Sequence, residues 1–199
     1  MKKILLILIC LPVFAMAQKH NRDIKQQMDS VANILPVIDQ VIMYTGVVYL
    51  DSTITKAELF NRAKSWFVTT YKSANDVIQM EDKDAGILIG KGIFDVYYYA
   101  AGFFEGIPNV SVYHTIKLYF KDGKYKYEIT EFHGQYYHEK TKFTVGGMRD
   151  VYIMNNGYKK NKKNKKNYNK FLVSVNLEVI ATIESLKTSM NKPLTTKDF

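Results

Sequence analysis

The sequence is almost free of cysteine, since Cys10 is the only one among 199 residues. Cys10 lies in a segment with the pattern of an export signal. Two lysines precede an apolar run from Ile4 to Phe14, and Ala15-Met16-Ala17 fits the small-x-small cleavage rule. Cleavage after Ala17 would leave no thiol, disulfide or cysteine metal ligand. A membrane anchor fits less well, because about 20 apolar residues are needed to span a bilayer, and a lipoprotein would need a small residue where Ile9 stands.

No later segment is apolar enough to cross a membrane, so residues 1–17 predict an exported protein, either periplasmic or extracellular. Motifs of familiar enzymes are also missing. The sequence has no His-Glu-x-x-His, Gly-x-Ser-x-Gly, Walker or dinucleotide-binding pattern. Gly90-Lys91-Gly92 does not predict a phosphate loop, because no helix pattern follows it. We therefore expect a protein that is not an enzyme and has no cofactor and no metal site.

Two interpretations of the histidines stay open. His114 should face Glu131 across a hairpin, either as a structural hydrogen-bonded pair or as the acid–base pair of a hydrolase or small-ligand enzyme. His133 and His138, five residues apart, could bind a metal with Glu139 only if they lie in a loop.

The positive charge is confined to one segment. The chain has 28 basic and 19 acidic residues; two lysines lie in residues 1–17 and seven in residues 158–170, so the remainder carries 19 of each sign. A Lys/Asn run cannot bury apolar area, which predicts a mobile loop at 155–169. It is either a solvated linker or a weak contact for an anionic membrane surface or other polyanion. The lysines concerned are Lys159, Lys160, Lys162, Lys163, Lys165 and Lys166. Without arginine forks or interleaved aromatics, sequence-specific nucleic acid binding is not expected.

The rest of the sequence predicts one globular domain over residues 40–190, after a lead-in at 18–39 and before a tail at 191–199. Hydrophobic residues make up 47% and aromatics 14%, which favours a sheet-containing core. The capping box Thr55-x-x-Glu58 predicts a helix start. The elements predicted up to residue 99 are strand 41–50, a helix ending near Tyr71 with Trp66 in the core, and strands 77–81 and 85–99.

Asp122-Gly123 is a strong signal for a β-hairpin between strands 110–121 and 124–132. A two-residue loop fixes the register and puts Phe120 and Tyr125 on the core side. The opposite face then contains Tyr113, Lys117, Tyr119, Lys126, Glu128 and Thr130, with Lys117 facing Glu128 as a charge pair. A further strand is possible within 143–154. Apolar residues at spacings of three and four predict a closing helix from about residue 169 to residue 190.

This order, β-α-β-β-β-β-(β)-α, predicts an α+β domain with two helices on one face of an antiparallel sheet. Four stretches carry a resemblance to a known family: VYL at 48–50, ELFNRAKSWF at 58–67, VIQMEDKDAGILIGKG at 77–92 and FKDGKYKY at 120–127. They resemble an exported bacterial domain of unknown function with a TATA-binding-protein-like (TBP-like) fold. The resemblance covers residues 40–132 and implies a curved antiparallel sheet. It implies no catalytic residue and no DNA binding.

These observations lead to one hypothesis about function. We expect a non-enzymatic exported module that binds a protein, a peptide or an envelope component on its exposed sheet face. The six residues from Tyr113 to Thr130 named above form the predicted surface. The alternatives are polyanion or membrane-surface binding through the lysine loop, and an enzyme that uses His114 with Glu131.

Overall fold

The computed structural model describes residues 35–39, 41–71, 77–97, 109–138, 141–147 and 162–193. They form one antiparallel sheet, a two-stranded ribbon and two helices. In chain order the elements are β1 (Val37–Ile38), β2 (Val41–Ile42), β3 (Tyr44–Tyr49), α1 (Lys56–Tyr71), β4 (Ile78–Asp82), β5 (Ile87–Tyr97), β6 (Asn109–Lys121), β7 (Lys124–His138), β8 (Thr141–Gly147) and α2 (Lys162–Asn191).

The main sheet has the strand order β3-β7-β6-β5-β4, and β8 pairs with the far end of β7. The predicted hairpin at Asp122-Gly123 is confirmed: Lys121 faces Lys124, and the register continues unbroken as far as Thr115 and Thr130. Gly123 has a φ of 69°, a left-handed conformation that costs glycine little. The fold class predicted from the sequence is therefore confirmed.

A β-bulge interrupts this register directly after Thr130. Tyr113 pairs with His133, so Glu131 and Phe132 together lie opposite His114. Glu131 has a φ of 58°, which a residue with a Cβ adopts at a steric cost. The predicted pairing of His114 with Glu131 is wrong, because an extra residue in one strand moves every later side chain out of the extrapolated register.

Helix α1 begins as its sequence predicts. The Thr55 hydroxyl accepts a hydrogen bond from the Glu58 amide at 3.2 Å, and Asp122 Oδ1 accepts one from the Lys56 amide at 2.6 Å. Only half of the capping box forms, because the Glu58 carboxylate pairs with Arg62 one turn later. The N-terminal amides of α1 are therefore satisfied partly by its own cap and partly by the hairpin turn.

The core lies between the sheet and the two helices. Trp66 is fully buried, as predicted, and its Nε1 donates to Ser185 Oγ of α2 at 3.1 Å. Gly90 lets α1 approach the sheet: a Cβ on Gly90 would lie 2.5 Å from Cε1 of the Phe67 ring. The glycines of β5 thus serve helix packing.

The closing helix begins earlier than predicted. Its buried stripe is the predicted one, namely Leu172, Val175, Val179, Ile183, Leu186 and Met190. However, α2 starts at Lys162, so a loop across 155–169 is wrong for residues 162–169, while 155–161 lie outside the described residues. Lysine is a good helix former, and extending a helix already fixed by its apolar stripe costs far less than nucleating one.

The ends of the domain also differ from prediction. Leu35 is buried and β1 pairs with β2, so the last part of the predicted lead-in belongs to the fold. Strand β8 covers residues 141–147, earlier than the predicted 143–154. The predicted export signal at 1–17 and most of the tail lie outside the described residues. Within the ranges that the structure covers, no helix is long and apolar enough to cross a bilayer.

Candidate functional site

The sheet has two different faces. The helices pack on the face that carries Leu88, Ile116, Leu118 and Ile129, all of them fully buried. Side chains alternate along a strand, so the intervening residues point away from the helices. We call this second surface the open face. By strand register it includes Val47 and Tyr49 of β3, Met80 of β4, Ile87 to Asp95 of β5 at every second position, and the alternate residues of β6 and β7.

Five of the six residues predicted for a binding surface lie together on the open face: Tyr113, Lys117, Tyr119, Lys126 and Glu128. Thr130 is on the same side of β7 but is only 3% exposed, so its prediction as a surface residue is wrong. It lies in an inner strand between β3 and β6, and its short side chain donates to the Ile42 carbonyl oxygen at 3.3 Å.

Glu128 is the centre of a small network on this face. Lys126 Nζ is 2.6 Å from Glu128 Oε1, and the Tyr119 hydroxyl is 3.4 Å from Glu128 Oε2. Lys126 also lies over the Tyr119 ring, 5.8 Å from its centroid. The predicted Lys117–Glu128 ion pair does not form, although the two residues face each other in the register. Glu128 is already engaged by its own strand, and Lys117 turns towards the bulge.

The bulge turns Glu131 onto the open face. Its Oε2 accepts a hydrogen bond from the Thr115 hydroxyl at 2.7 Å, and its Oε1 is 3.4 Å from Lys117 Nζ. The hydrogen bond from Thr115, followed by the charges of Lys117 and Lys91, lowers the pKa of Glu131 in spite of partial burial. Glu131 is thus held as a carboxylate on the open face, whereas the predicted pair with His114 would have placed it on the helix side.

An apolar strip runs along the edge of the open face. Ile87, Ile89 and Ile93 lie on this side of β5, and Met80 of β4 pairs with Ile89. Met80 and Ile93 are each 45% exposed. We call these four residues the aliphatic strip. It was missed in the sequence, although Gly90 and Gly92 at core positions imply that Ile89 and Ile93 face outward.

Three further lysines, Lys91, Lys121 and Lys124, project from the same face. None of them forms an ion pair with a carboxylate among the described residues. Lys124 lies over the ring of Tyr49, 5.6 Å from its centroid, and Tyr49 is 74% exposed. The end of the sheet at the Asp122-Gly123 turn is therefore rich in lysine and tyrosine.

His114 lies on the helix side and is 2% exposed. Its Nε2 is 3.2 Å from the Tyr71 hydroxyl, and its ring packs against Phe94 with centroids 5.0 Å apart. Burial lowers the pKa of His114 to about 4, which the backbone of Val112 partly offsets. Because Glu131 points to the other face, an acid–base pair of these two residues is excluded by the geometry.

His133 does lie on the open face and stacks on Tyr113, with ring centroids 4.9 Å apart and an angle of 8° between the planes. The proposed metal ligand Glu139 lies outside the described residues. Among the residues that are described, no group of three histidine, cysteine or acidic side chains could hold a metal ion. His133 is therefore best understood as part of the aromatic surface.

The lysines predicted to contact a polyanion are only partly described. Lys159 and Lys160 lie outside the described residues. The backbone of Lys162, Lys163, Lys165 and Lys166 forms the beginning of α2, whose first turn has no acidic residue. These four residues therefore share one end of a helix rather than a loop.

Comparison with solved structures identifies the fold of this protein. A TBP-like protein from Parabacteroides distasonis has the same fold, with a TM-score of 0.63 at 16% identity over 80% of this chain and 99% of that chain. A DUF4468 family protein from Bacteroides ovatus gives 0.60 at 15% identity over 81% and 93%. At such identities the likeness shows the fold alone, which is TBP-like.

The family follows from the sequence match. Residues 44–135 match the family described as a domain of unknown function (DUF4468) with TBP-like fold. The chain therefore carries a domain of this family, which confirms the resemblance seen in its sequence. No curated protein matches the chain. Neither the family description nor the solved structures assign a ligand, so any function must be argued from the surface itself.

Proposed function

We propose that the chain is a non-enzymatic exported module that binds a protein or peptide component of the cell envelope on its open face. The observation that carries the proposal is the contrast between the two sheet faces. One is closed by α1 and α2, while the other presents tyrosines, lysines and exposed aliphatic side chains on a single antiparallel sheet. Aromatic residues and methionine are enriched at protein interfaces, and a rigid sheet holds them without further ordering cost.

The arrangement around Tyr119 supports this proposal. Tyr119 is held by Glu128 and Lys126, so its ring position is fixed before any partner arrives. Its pKa is raised, first by burial and then by the charge of Glu128, and the phenol therefore stays a neutral hydrogen-bond donor. A preorganised tyrosine on an exposed sheet is typical of an interface hot spot.

The test replaces Tyr119 and Lys126 together with alanine in the full chain. Envelope extract from the native bacterium is crosslinked to the variant and to the wild type, and the crosslinked products are compared. We expect the variant to fold normally and to lose its specific products. The matched control is Val68→Ala with Lys187→Ala, one exposed apolar residue and one ion-paired lysine on the helices. Equal crosslinking by all three proteins would contradict binding at the open face.

A second candidate function rests on the charge distribution. All of the excess positive charge outside residues 1–17 lies in residues 158–170. Lysines close to an anionic membrane contribute about 1 kcal/mol each, so the segment could hold the protein weakly at an anionic surface. Without a hydrophobic anchor this contact would be reversible and sensitive to salt.

The corresponding test replaces the six lysines from Lys159 to Lys166 with glutamine, which preserves helix propensity at the start of α2. Wild type should bind vesicles that contain phosphatidylglycerol at low salt and release them at high salt. The variant should not bind, while its melting temperature stays close to that of the wild type. Equal vesicle binding by both proteins would remove the polyanion function.

A further inference from the structure

We infer that the partner segment bound by the open face is an acidic amphipathic peptide segment of another protein. Its apolar side chains would cover the aliphatic strip, and its carboxylates would pair with Lys91 and Lys121. This inference rests on the proposed function, because it names the chemistry of the partner at the same face.

The dimensions of the aliphatic strip set the size of the partner. Ile87 and Ile93 are six residues apart on β5, which is about 20 Å along a strand. That distance corresponds to about 13 residues of an α-helix. Tyr119 pairs with Ile87 and Tyr113 with Ile93, so an aromatic ring borders the strip at each end. A helix or strand of that length would cover the apolar surface without reaching β3.

The charges on the open face indicate whether the side chains of the partner are acidic or basic. Glu128 is paired with Lys126, Glu131 is held by Lys117 and Thr115, and Asp95 accepts the Ser111 hydroxyl at 2.6 Å. Asp82, which pairs with Ile87, accepts the Ala85 amide at 2.8 Å. Asp82 and Asp95 accept these hydrogen bonds from neutral groups and keep their negative charge at the two ends of the strip, whereas the carboxylates of β7, Glu128 and Glu131, are ion-paired.

The lysines beside the strip are not engaged in this way. Lys91 lies between Ile89 and Ile93, and Lys121 follows Tyr119 on β6. Neither has a carboxylate within ion-pair distance among the described residues. Acidic side chains of a partner would form ion pairs with both lysines, whereas a basic partner would place like charges against each other.

The same charges argue against a second copy of this chain. A two-fold symmetric contact through the strip places the same patch on both subunits. A two-fold axis through Lys91, at the middle of the strip, would place this lysine against its own copy. A lipid surface is disfavoured for another reason, because Ile87 and Ile89 are only partly exposed within the sheet and are not free apolar anchors.

The experiment uses two labelled synthetic 18-residue peptides with leucines at helical spacing. One carries glutamates on its polar face and the other carries lysines at the same positions. Fluorescence anisotropy with the full chain should show at least about tenfold tighter binding of the acidic peptide at low salt. Lys91→Glu with Lys121→Glu should reverse the preference. Ile93→Asn should weaken binding of the acidic peptide by about tenfold, since it buries a polar amide in the contact.

The control variant is Lys64→Glu with Lys187→Glu on the helices, which should leave the preference unchanged. A wild type that does not distinguish the two peptides would overturn the inference. If the crosslinks of the Tyr119 and Lys126 test are still lost in that case, the proposed function stands and only the acidic partner is wrong. Tighter binding of the six-lysine glutamine variant to phosphatidylglycerol vesicles than to the acidic peptide, or concentration-dependent dimers in sedimentation, would likewise overturn it.

Discussion

Arg62 of α1 binds the end of α2: its Nη1 donates to the backbone carbonyl oxygen of Met190 at 2.6 Å. The same guanidinium pairs with the Glu58 carboxylate one turn earlier in α1. A helix C-terminus has unsatisfied carbonyl groups and a negative partial charge, so a buried arginine there serves both needs. Arg62 is only 5% exposed and joins the two helices, although a charged residue is usually found on the solvated side of a helix.

Arg62→Met should destabilise the protein strongly. The change keeps much of the side-chain volume but leaves the Met190 carbonyl without its donor, and a cost of about 2–4 kcal/mol is expected. Urea unfolding followed by Trp66 fluorescence measures it. Lys64→Met is the matched control on the same helix, since its ion pair with Glu81 is exposed and should contribute less than about 1 kcal/mol. Equal losses in the two variants would contradict the role assigned to Arg62.

Two buried tyrosines allow a direct comparison of hydroxyl groups. The Tyr44 hydroxyl donates to Asn176 Oδ1 at 2.8 Å, whereas the Tyr125 hydroxyl is buried without a partner among the described residues. Tyr44→Phe should cost about 1–2 kcal/mol, because it leaves the Asn176 oxygen unsatisfied. Tyr125→Phe should be neutral or stabilising. Urea unfolding of both variants measures the two changes in the free energy of unfolding. A larger loss of stability in Tyr125→Phe than in Tyr44→Phe would contradict this assignment.

His114 should make the stability depend on pH. Its pKa in the folded protein is lowered to about 4, below its value in the unfolded chain, so the unfolded state binds more protons between those values. The contribution of the neutral His114 side chain to stability is therefore complete above about pH 6.5, and it is lost as the pH falls towards 4. Between pH 7 and pH 5 the loss should be about 2 kcal/mol.

The measurement compares urea unfolding at the two pH values for wild type and His114→Gln. The variant should lose less stability on acidification, whatever its stability at pH 7. His133→Gln is the control, because it removes an exposed imidazole and leaves the buried one of His114 in place. An identical slope in wild type and His114→Gln would show that the buried imidazole is not responsible.

Glu131 tests the strain stored in the bulge. Glu131→Gly and Glu131→Ala both remove the carboxylate and its contacts with Thr115 and Lys117, but only glycine adopts a φ of 58° without a steric penalty. The glycine variant should therefore be more stable than the alanine variant by about 1 kcal/mol. Thermal melting of the two variants gives the difference. Equal melting temperatures would mean that the bulge rearranges when the carboxylate is removed.

The parts of the fold that were predictable depend on local signals. Asp122-Gly123 fixed the hairpin register, the Thr55 cap placed the start of α1, and the apolar stripe of α2 named its buried residues. These signals act between residues that are near in sequence, where the geometry of a turn or a helix repeat decides the outcome. The strand and helix order followed from them.

The errors arise where distant segments meet. No glycine or turn residue at Glu131 predicts the bulge. Because of the bulge, Glu131 does not face His114, and Lys117 pairs with Glu131 instead of Glu128. Arg62 is buried because α2, more than 100 residues later, ends beside it. Part of the open face was predicted: the alternation of side chains placed Tyr119 and Lys126 correctly, but the position of Met80 beside Ile89 depends on how β4 aligns with β5.

The contact between Arg62 and Met190 also determines when the protein can finish folding. The two residues are 128 positions apart, and every strand of the described part of the sheet precedes α2 in the chain. During synthesis only α1 is therefore available to pack on the apolar face of the sheet until α2 is made. A chain shortened before α2 would keep its strand patterns but lack Asn176 and Ser185, the hydrogen-bond partners of Tyr44 and Trp66. The core can therefore be closed only after the end of α2 has reached Arg62.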